Sequence, residues 1–401
     1  MKPRKRFFSF GKNVTVTGFV SLFMDISSEM IYPLVPLFLA NILGVNKSII
    51  GLIEGIAEST ASLLKVFSGW YSDRIGNRKW LMVAGYGIST LSRPILALAA
   101  GWHHVMGFRF VDRFGKGIRT APRDAIVVES TEKDHLGLAF GFQRAMDTIG
   151  AVLGPAIAFF LLGIFSNGYR IIFWVSMIPA VIAVLLIAFF ITEKANNSSH
   201  TFKSPKLTLK YFDGRFKTFV LIAAVFAVGN SSDVFLILRA QQVGIQPVTI
   251  PVVYLMFNLI YALSALPAGI AADKFGKKKV VLIGFILFAL VYYGFAVVAD
   301  TVMIWVLFAF YGFFMGITDG VQKAFLATII PADFKATAFG IYNTAVGLAT
   351  LPASLIGGML WDRISPAATF YYGSITAAVT ALLFIIFMLY DRPNRSGVYR
   401  I

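Results

Sequence analysis

The segment Arg109–Asp124, RFVDRFGKGIRTAPRD, constrains the fold of this chain more than any other, because it is densely charged and lies between long apolar stretches. Its charged residues are Arg109, Asp112, Arg113, Lys116, Arg119, Arg123 and Asp124. At about 100° per residue, these side chains fall on one helical face roughly 140° wide. Such a face cannot contact lipid, so the chain must enclose a polar interior.

The rest of the chain indicates that this interior lies in a membrane. Of the 401 residues, 57% are hydrophobic and 14% are charged, whereas about a quarter of a soluble domain is charged. Apolar runs of about 20 residues, long enough to cross roughly 30 Å of hydrocarbon, recur throughout the chain. The net charge of +16 would suggest nucleic-acid binding in a soluble protein. Here the basic residues are interpreted as loop anchors, so we expect a lipid bilayer and no nucleic acid as partner.

Hydrophobic length and polar breaks predict twelve transmembrane helices and an all-α membrane fold, since the alternation typical of barrel strands is absent. The predicted helices lie near residues 14–40, 48–71, 80–100, 104–127, 137–163, 170–192, 217–241, 248–271, 279–299, 302–328, 337–361 and 367–390. Basic residues concentrate in alternate loops, and the positive-inside rule then places both termini in the cytoplasm. We therefore predict a multi-pass protein of the plasma membrane.

The two halves of the chain repeat each other. The segment Gly69–Lys79, GWYSDRIGNRK, recurs as Gly269–Lys279, GIAADKFGKKK. A parallel repeat of this kind implies two pseudo-symmetric bundles with a binding site between them near mid-depth. We predict an N-terminal six-helix bundle over residues 1–192, a cytoplasmic linker over 193–215 and a C-terminal six-helix bundle over 216–401.

Three motifs make the sequence resemble the major facilitator superfamily of secondary transporters, and the likeness extends over essentially the whole chain. The Gly69–Lys79 segment is similar to the family signature between the second and third helices, and its weaker second copy strengthens the match. The segment Arg113–Gly117 is similar to the fourth-helix Arg-x-x-x-Gly pattern, with Lys116 where Gln is common. The resemblance implies the twelve-helix fold of that family.

A third motif is similar to the fifth-helix signature associated with antiporters. It consists of Gly141, Gly150, Gly154 and Pro155. The usual trailing pair of glycines is absent from this chain. The runs SSEMIYP and GKGIRTAPRDA also resemble a poorly characterised prokaryotic branch of the superfamily.

The resemblance implies a gate built on the first motif, whose residues are Gly69, Asp73, Arg74 and Gly76. In the family, the aspartate faces a helix N-terminus of the other half, and the arginine pairs with an acid at the end of the fourth helix. Asp124 is our candidate for that acid, and Asp273 is the equivalent of Asp73 in the second copy. Such contacts form in one state of a transporter and break in another.

Four acidic residues in the first two helices are candidates for proton coupling. Asp25 and Glu29 are spaced i,i+4 and share a helical face, as do Glu54 and Glu58. An ionised group at the bilayer centre costs about 2.5–3.5 kcal/mol on insertion scales, so these side chains should pair across helices or face water. Their predicted depth matches that of Arg109 and Arg113. We expect Arg113 to act as the switching counter-charge.

The remaining candidates form the predicted substrate cavity. In the N-terminal half they are Arg109, Arg119, Arg123, Arg144 and Asp147, and we expect the inner part of the charged segment to face the last two. In the C-terminal half they are Asn258, Tyr261 and Asn343, which suit hydrogen bonding to a substrate. The arginines could bind an anion, since guanidinium groups bind carboxylate and phosphate in a bidentate manner. Neutralisation by the acids would instead favour a cationic or apolar substrate.

These features predict a secondary active transporter of a small molecule that works by alternating access, with proton-coupled antiport or efflux as the leading hypothesis. An importer or facilitator of an organic anion is the alternative, and a non-transporting membrane sensor is a second alternative. The chain has no cysteine, and we find neither a P-loop nor a mid-membrane nucleophile, so we do not expect an enzyme, a metal site or a cofactor. We expect a monomer whose partners are its substrate and protons.

Overall fold

The computed structural model describes residues 11–75, 77–132, 135–165, 168–193, 212–330 and 335–390, except for the side chains of 65–67, 69–75 and 335–336. Within these ranges the chain is helical and contains no β-strand. The all-α fold predicted from the sequence is therefore confirmed for the described part of the chain.

Twelve helical passes follow one another along the chain. In the N-terminal half they are α1 (Lys12–Ile42), α2 (Lys47–Ile75), α3 (Arg78–Leu91 continued by Arg93–Ala97), α4 (Trp102–Glu129), α5 (Leu136–Ile164) and α6 (Tyr169–Phe190). In the C-terminal half they are α7 (Gly214–Val243), α8 (Ile250–Phe275), α9 (Lys277–Val297), α10 (Thr301–Thr328), α11 (Lys335–Arg363) and α12 (Pro366–Tyr390). These passes match the twelve predicted helices.

The helices differ in how well each could cross a membrane alone. Over the described ranges, nine are long and apolar enough to do so by length and composition. The other passes are α2, α3 and α4. Two of these carry several charged residues and α3 is interrupted at Ser92, so they depend on the surrounding helices for a polar interior. On α4 the charged face is turned inward, because Arg109 and Arg113 are only 3% and 8% exposed.

The two halves have the same internal arrangement. In the first half α1 packs on α5 and α6, while α4 packs on α2 and α3. In the second half α7 packs on α11 and α12, while α10 packs on α8 and α9. Each helix thus has the same neighbours as the helix six positions away, and the molecule is built of two pseudo-symmetric six-helix bundles. The bundles meet where α2 packs on α11 and α5 packs on α8.

The end of the molecule at which α1 begins is called the near side, and the opposite end the far side. On the near side, Asn13 donates hydrogen bonds to Ser130 Oγ at 3.0 Å and to the Thr192 carbonyl at 2.8 Å. The Glu193 carboxylate accepts from the backbone N–H groups of Arg78 and Lys79, so it caps the start of α3. These bonds join the near-side ends of α1, α3, α4 and α6.

On the far side, the two bundles are joined at the end of α11. The Asp362 carboxylate accepts hydrogen bonds from the backbone N–H groups of Lys47 and Ser48, at 3.2 and 2.7 Å, and from the Ser48 hydroxyl at 2.6 Å. An acidic side chain at a helix N-terminus satisfies free N–H groups and complements the helix dipole. Below this cap, Gly51 leaves no room for a side chain against the Ser354 carbonyl. The bundles are therefore in close contact here.

Candidate functional site

A cavity of about 160 Å³ lies among the charged faces of α1, α2 and α4 and also touches α3 and α8. Its lining residues are Asp25, Ser28, Glu29, Ile31, Tyr32, Glu58, Arg93, Arg109, Asp112, Arg113, Lys116, Arg119 and Tyr254. Glu54 joins this set through its ion pair with Arg109. With Glu54 included, the cavity has five basic and five acidic side chains. Its formal charge is therefore balanced.

Two arginines of α4 form ion pairs with two glutamates of α2. Arg109 pairs with Glu54, and these side chains are only 4% and 1% exposed. One turn further along both helices, Arg113 Nη2 lies 2.9 Å from Glu58 Oε1. Since both pairs are spaced i,i+4, they lie on the facing sides of the two helices. The structure thus brings together Arg109, Arg113, Glu54 and Glu58, which the sequence analysis had placed at a common depth in the membrane.

Asp25 and Glu29 of α1 face the same cavity but form no ion pair with any side chain that the structure describes. The hydroxyl of Tyr254, on α8 of the other bundle, interacts with the Glu29 carboxylate. The second carboxylate oxygen, Glu29 Oε2, is buried without a hydrogen-bond partner. Asp25 lies within electrostatic range of Lys116 and of Asp147. These two carboxylates are thus less firmly held than the two on α2.

The fifth-helix motif lies directly behind these carboxylates. A Cβ atom on Gly150 would approach Asp25 Cβ to 2.8 Å, and one on Gly154 would approach Glu29 Cβ to 2.8 Å. Both glycines therefore allow α5 to pack closely against α1 at the level of the two acids. Pro155 is buried inside α5. Gly141, by contrast, faces open space.

The inner part of the charged segment is divided between two neighbours. Arg119 Nη1 donates to Ser89 Oγ at 2.8 Å, and its guanidinium lies 4.4 Å from the Tyr86 ring centroid on α3. Arg123 instead bonds to Ser21 Oγ at 3.1 Å. It also lies within electrostatic range of Asp147. The expectation that this part faces α5 thus fits Arg123, whereas Arg119 turns towards α3, where the hydroxyl and the aromatic ring are available.

Arg144 departs from the sequence expectation, because its partner lies on the other bundle and not on α4. Arg144 Nη2 donates to the Tyr261 hydroxyl at 2.6 Å, and that hydroxyl donates to Asp319 Oδ2 at 3.0 Å. Lys323 Nζ lies 2.6 Å from the other oxygen of the same carboxylate. This chain links α5 to α8 and α10 across the interface.

The three residues of the C-terminal half that are predicted to bind substrate occupy different positions. Asn258 Nδ2 lies 3.3 Å from the Ala151 carbonyl on α5, so it is a second polar contact between the bundles. Asn343 is half-buried on α11. Tyr261 is engaged by Arg144 and Asp319, as described above. Asn258 and Tyr261 therefore lie along the seam between the two halves, where they contact α5.

The gating motif is only partly visible. Gly69, Asp73 and Arg74 lie in the last turns of α2, where the side chains are outside the described part, and Gly76 lies outside it altogether. The pairing of Arg74 with Asp124 stays a prediction. In the structure Asp124 Oδ1 lies 3.1 Å from Arg123 Nε, and Asp273 Oδ1 lies 2.7 Å from Lys277 Nζ.

Three residues of the site were missed by the sequence reasoning. Arg93 lies at the break in α3 and is only 1% exposed, with Nη2 at 3.2 Å from Ser28 Oγ. A single arginine before Pro94 within an apolar helix is the signal that could have revealed it. Tyr32 and Tyr86 each receive an arginine over the ring, from Arg109 at 5.5 Å and from Arg119 at 4.4 Å. Nothing in the sequence distinguishes these tyrosines from others that face lipid.

Two pseudo-symmetric bundles around a charged cavity inside an apolar protein define a multi-pass membrane transporter. The family model of the Major Facilitator Superfamily matches residues 17–238 and 218–400. The chain belongs to the Major Facilitator Superfamily. The resemblance inferred from the motifs, and the twelve-helix fold that it implied, are confirmed.

Similar proteins support this assignment. An uncharacterized MFS-type transporter of Methanocaldococcus jannaschii is 39% identical over 384 residues, which are 93% of this chain and 94% of that protein. A multi-drug resistance efflux pump PmrA homolog of Lactococcus lactis is 24% identical over 401 residues, covering 96% of both chains. The crystal structure of a point mutant of the nucleoside transporter NupG matches with a TM-score of 0.80 at 13% identity, over 95% of this chain and 100% of that one.

Proposed function

We propose that this transporter is a proton-coupled antiporter that exports a small molecule by alternating access between its bundles. The observation that carries the proposal is the difference among the four acids at the cavity. Glu54 and Glu58 are held in ion pairs with arginines, whereas Asp25 and Glu29 have no such partner among the described side chains. A carboxylate that is not fixed by a cation can gain and lose a proton, so Asp25 and Glu29 are the proposed carriers.

The two ion pairs suggest how a proton could be coupled to movement. The Arg109–Glu54 pair is nearly inaccessible, which suits a fixed structural role. Glu58 is 42% exposed, and Arg113 lies within electrostatic range of both Glu58 and Glu29. When Glu29 loses its proton, Arg113 can move towards it and release Glu58. Arg113 is therefore the proposed switching counter-charge.

The contacts between bundles supply the two-state element that alternating access needs. The far side is joined by Asp362 and by the packing of α2 on α11. Tyr254 touches Glu29 from the opposite bundle, so the protonation of that carboxylate changes a contact across the interface. The near side carries the basic residues of the positive-inside pattern, and we assign it to the cytoplasm. Asp73 and Arg74 are the proposed near-side gate.

The similarity to an efflux pump homolog of Lactococcus lactis supports export, and the fifth-helix glycines agree with it. We assign substrate recognition mainly to the C-terminal half, through Asn258, Tyr261 and Asn343. The charge balance of the cavity supports this division, because the arginines are largely matched by acids. The N-terminal bundle then performs proton coupling, and the seam between bundles contacts the substrate.

An importer or facilitator of an organic anion is the second candidate. The observation that favours it is Arg93, whose Nε and Nη1 atoms are buried without hydrogen-bond partners. A substrate carboxylate bound in the cavity would accept a hydrogen bond from one of these atoms. The two candidates differ in the direction of proton movement and in the charge of the transported compound.

The proposal is tested with purified protein in liposomes that contain the pH dye pyranine. Ethidium, benzoate and uridine serve as cationic, anionic and neutral probes, each added with and without an imposed pH gradient. Antiport predicts that inward movement of a probe drives protons outward. Benzoate transport without proton movement would support the facilitator, and the absence of coupled proton movement with every transported probe would overturn the proposal.

A further inference from the structure

The break in α7 creates a polar site on the C-terminal side of the interface. The helix stops at Gly229 and resumes at Val234, with Asp233 in the N-terminal turn of the second part. The Tyr311 hydroxyl of α10 donates to Asp233 Oδ1 at 2.6 Å. A helix N-terminus favours a negative charge, and the phenol hydrogen bond strengthens that preference. Asp233 is therefore a carboxylate at a helix start that receives a hydrogen bond from a phenol of a neighbouring helix.

Asp233 differs from Glu54 and Glu58, which pair with arginines, in the charges that surround it. Among the side chains that the structure describes, no basic group lies within ion-pair distance of it. The charged residues that face it are Glu54 and Glu58 of α2, both acidic. The other titratable groups around it are Tyr32 of α1, Tyr254 of α8, Tyr292 of α9 and Tyr311 of α10. An ionised carboxylate buried here without a partner would be costly, and the positive group of a bound ligand would relieve that cost.

Aromatic rings connect this carboxylate to the cavity. The Tyr32 and Tyr254 ring centroids are 5.3 Å apart, those of Tyr254 and Phe257 are 5.4 Å apart, and those of Phe257 and Tyr311 are 5.5 Å apart. Tyr32 and Tyr254 line the cavity, and the Tyr311 hydroxyl donates a hydrogen bond to Asp233. We call these four residues the aromatic wall. Arg109 already lies over Tyr32 at 5.5 Å, so this wall binds one cation within the protein.

We propose that Asp233 and the aromatic wall bind the positively charged group of the substrate, an organic ammonium. Aromatic faces attract ammonium groups through their electron-rich surfaces, and a carboxylate beside them supplies the counter-charge. The inference rests on the proposed transport function and assigns its substrate class. It also gives Asp233 a positive partner, which the described side chains do not supply, whereas the formal charges of the N-terminal cavity are balanced.

The test measures binding of ethidium, an aromatic quaternary cation, to the purified full-length protein by fluorescence. Asp233→Asn should weaken ethidium binding about tenfold or more, since it removes a hydrogen-bonded charge. Tyr311→Phe should weaken it about two- to fivefold. The matched controls are Asp300→Asn, at the far-side start of α10, and Tyr372→Phe, whose hydroxyl bonds to the Val228 carbonyl. Both should stay within about twofold of the wild type.

Correct folding of each variant is checked by its thermal unfolding temperature. Asp233→Glu keeps the carboxylate and should retain more ethidium binding than Asp233→Asn. Wild-type protein that binds neither ethidium nor tetraethylammonium would overturn the inference, as would a folded Asp233→Asn that binds ethidium normally. Proton flux in liposomes separates the two proposals. If the wild-type protein moves no protons with any transported probe, but cation binding depends on Asp233, the binding site stands and the antiport mechanism falls.

Discussion

The Asp362 carboxylate at the end of α11 accepts hydrogen bonds from both the backbone N–H and the hydroxyl of Ser48 at the start of α2, at 2.7 and 2.6 Å. This acid from one bundle therefore caps a helix of the other. A cap of this kind stabilises by roughly 0.5–2 kcal/mol. That is enough to shift an equilibrium between two states of a transporter by several fold.

We expect Asp362→Ala to open the far side more often. Because the chain has no cysteine, a single Ser59→Cys can report this opening by its reaction with a membrane-impermeant maleimide. Ser59 is 5% exposed and bonds to the Gly347 carbonyl across the seam. The labelling rate should rise about three- to thirtyfold when the cap is removed. An unchanged rate, with Asp300→Ala as the control on the same side, would show that Asp362 does not hold this seam.

The two ion pairs of the cavity should differ in their effect on stability. Glu54→Gln leaves Arg109 buried without its partner, so we expect it to lower the free energy of unfolding by about 3–5 kcal/mol. Glu58→Gln should cost about 1 kcal/mol or less, because Glu58 is 42% exposed. Unfolding in mixed micelles measures both values. The double variant Glu54→Gln with Arg109→Gln should recover part of the stability that Glu54→Gln loses. Equal losses of stability for Glu54→Gln and Glu58→Gln would contradict this assignment.

The glycines of α5 provide a test with an internal control. Gly150→Ala and Gly154→Ala place a methyl group against α1 at Asp25 and Glu29, and each should lower the free energy of unfolding by about 1–3 kcal/mol. Gly141→Ala should be neutral or stabilising by up to about 1 kcal/mol, since it faces open space and alanine favours the helix. Similar losses at all three positions would mean that close packing of α1 and α5 is not what these glycines provide.

The amides of the C-terminal half should affect selectivity rather than coupling. Asn258→Ala and Asn343→Ala should change the ratio of transport rates between ethidium and uridine while leaving the number of protons moved per substrate unchanged. Both quantities come from the same pyranine-loaded liposomes. A change in proton stoichiometry with unaltered selectivity would reverse the proposed division of labour between the bundles.

The fold was predictable from the sequence because hydrophobic length and the repeat of Gly69–Lys79 at Gly269–Lys279 determine it almost completely. Equal depth predicted that Arg109 and Arg113 would meet the acids of the first two helices, but not which of the four acids would pair with them. Depth alone could not show that Arg144 bonds to Tyr261 of the other bundle, because it does not fix the rotation of a helix.

Other features depend on the arrangement of the two bundles. The cap formed by Asp362 links positions more than three hundred residues apart, and nothing local in the sequence indicates it. Arg93 was overlooked because it belongs to none of the charged clusters on which the sequence analysis was based, although a lone arginine in an apolar helix is itself a signal. The ion pairs of the cavity, which distinguish Glu54 and Glu58 from Asp25 and Glu29, could be seen only once the partners of each side chain were known.

The central claim is that Asp25 and Glu29 carry the transported proton, and proton flux in liposomes tests it most directly. Each carboxylate is replaced by its amide, Asp25→Asn or Glu29→Gln, and pyranine records the pH change that a transported probe drives. We expect coupled proton movement to fall at least tenfold in one or both variants while probe binding persists. Coupled flux at the wild-type rate in the double variant would contradict the account.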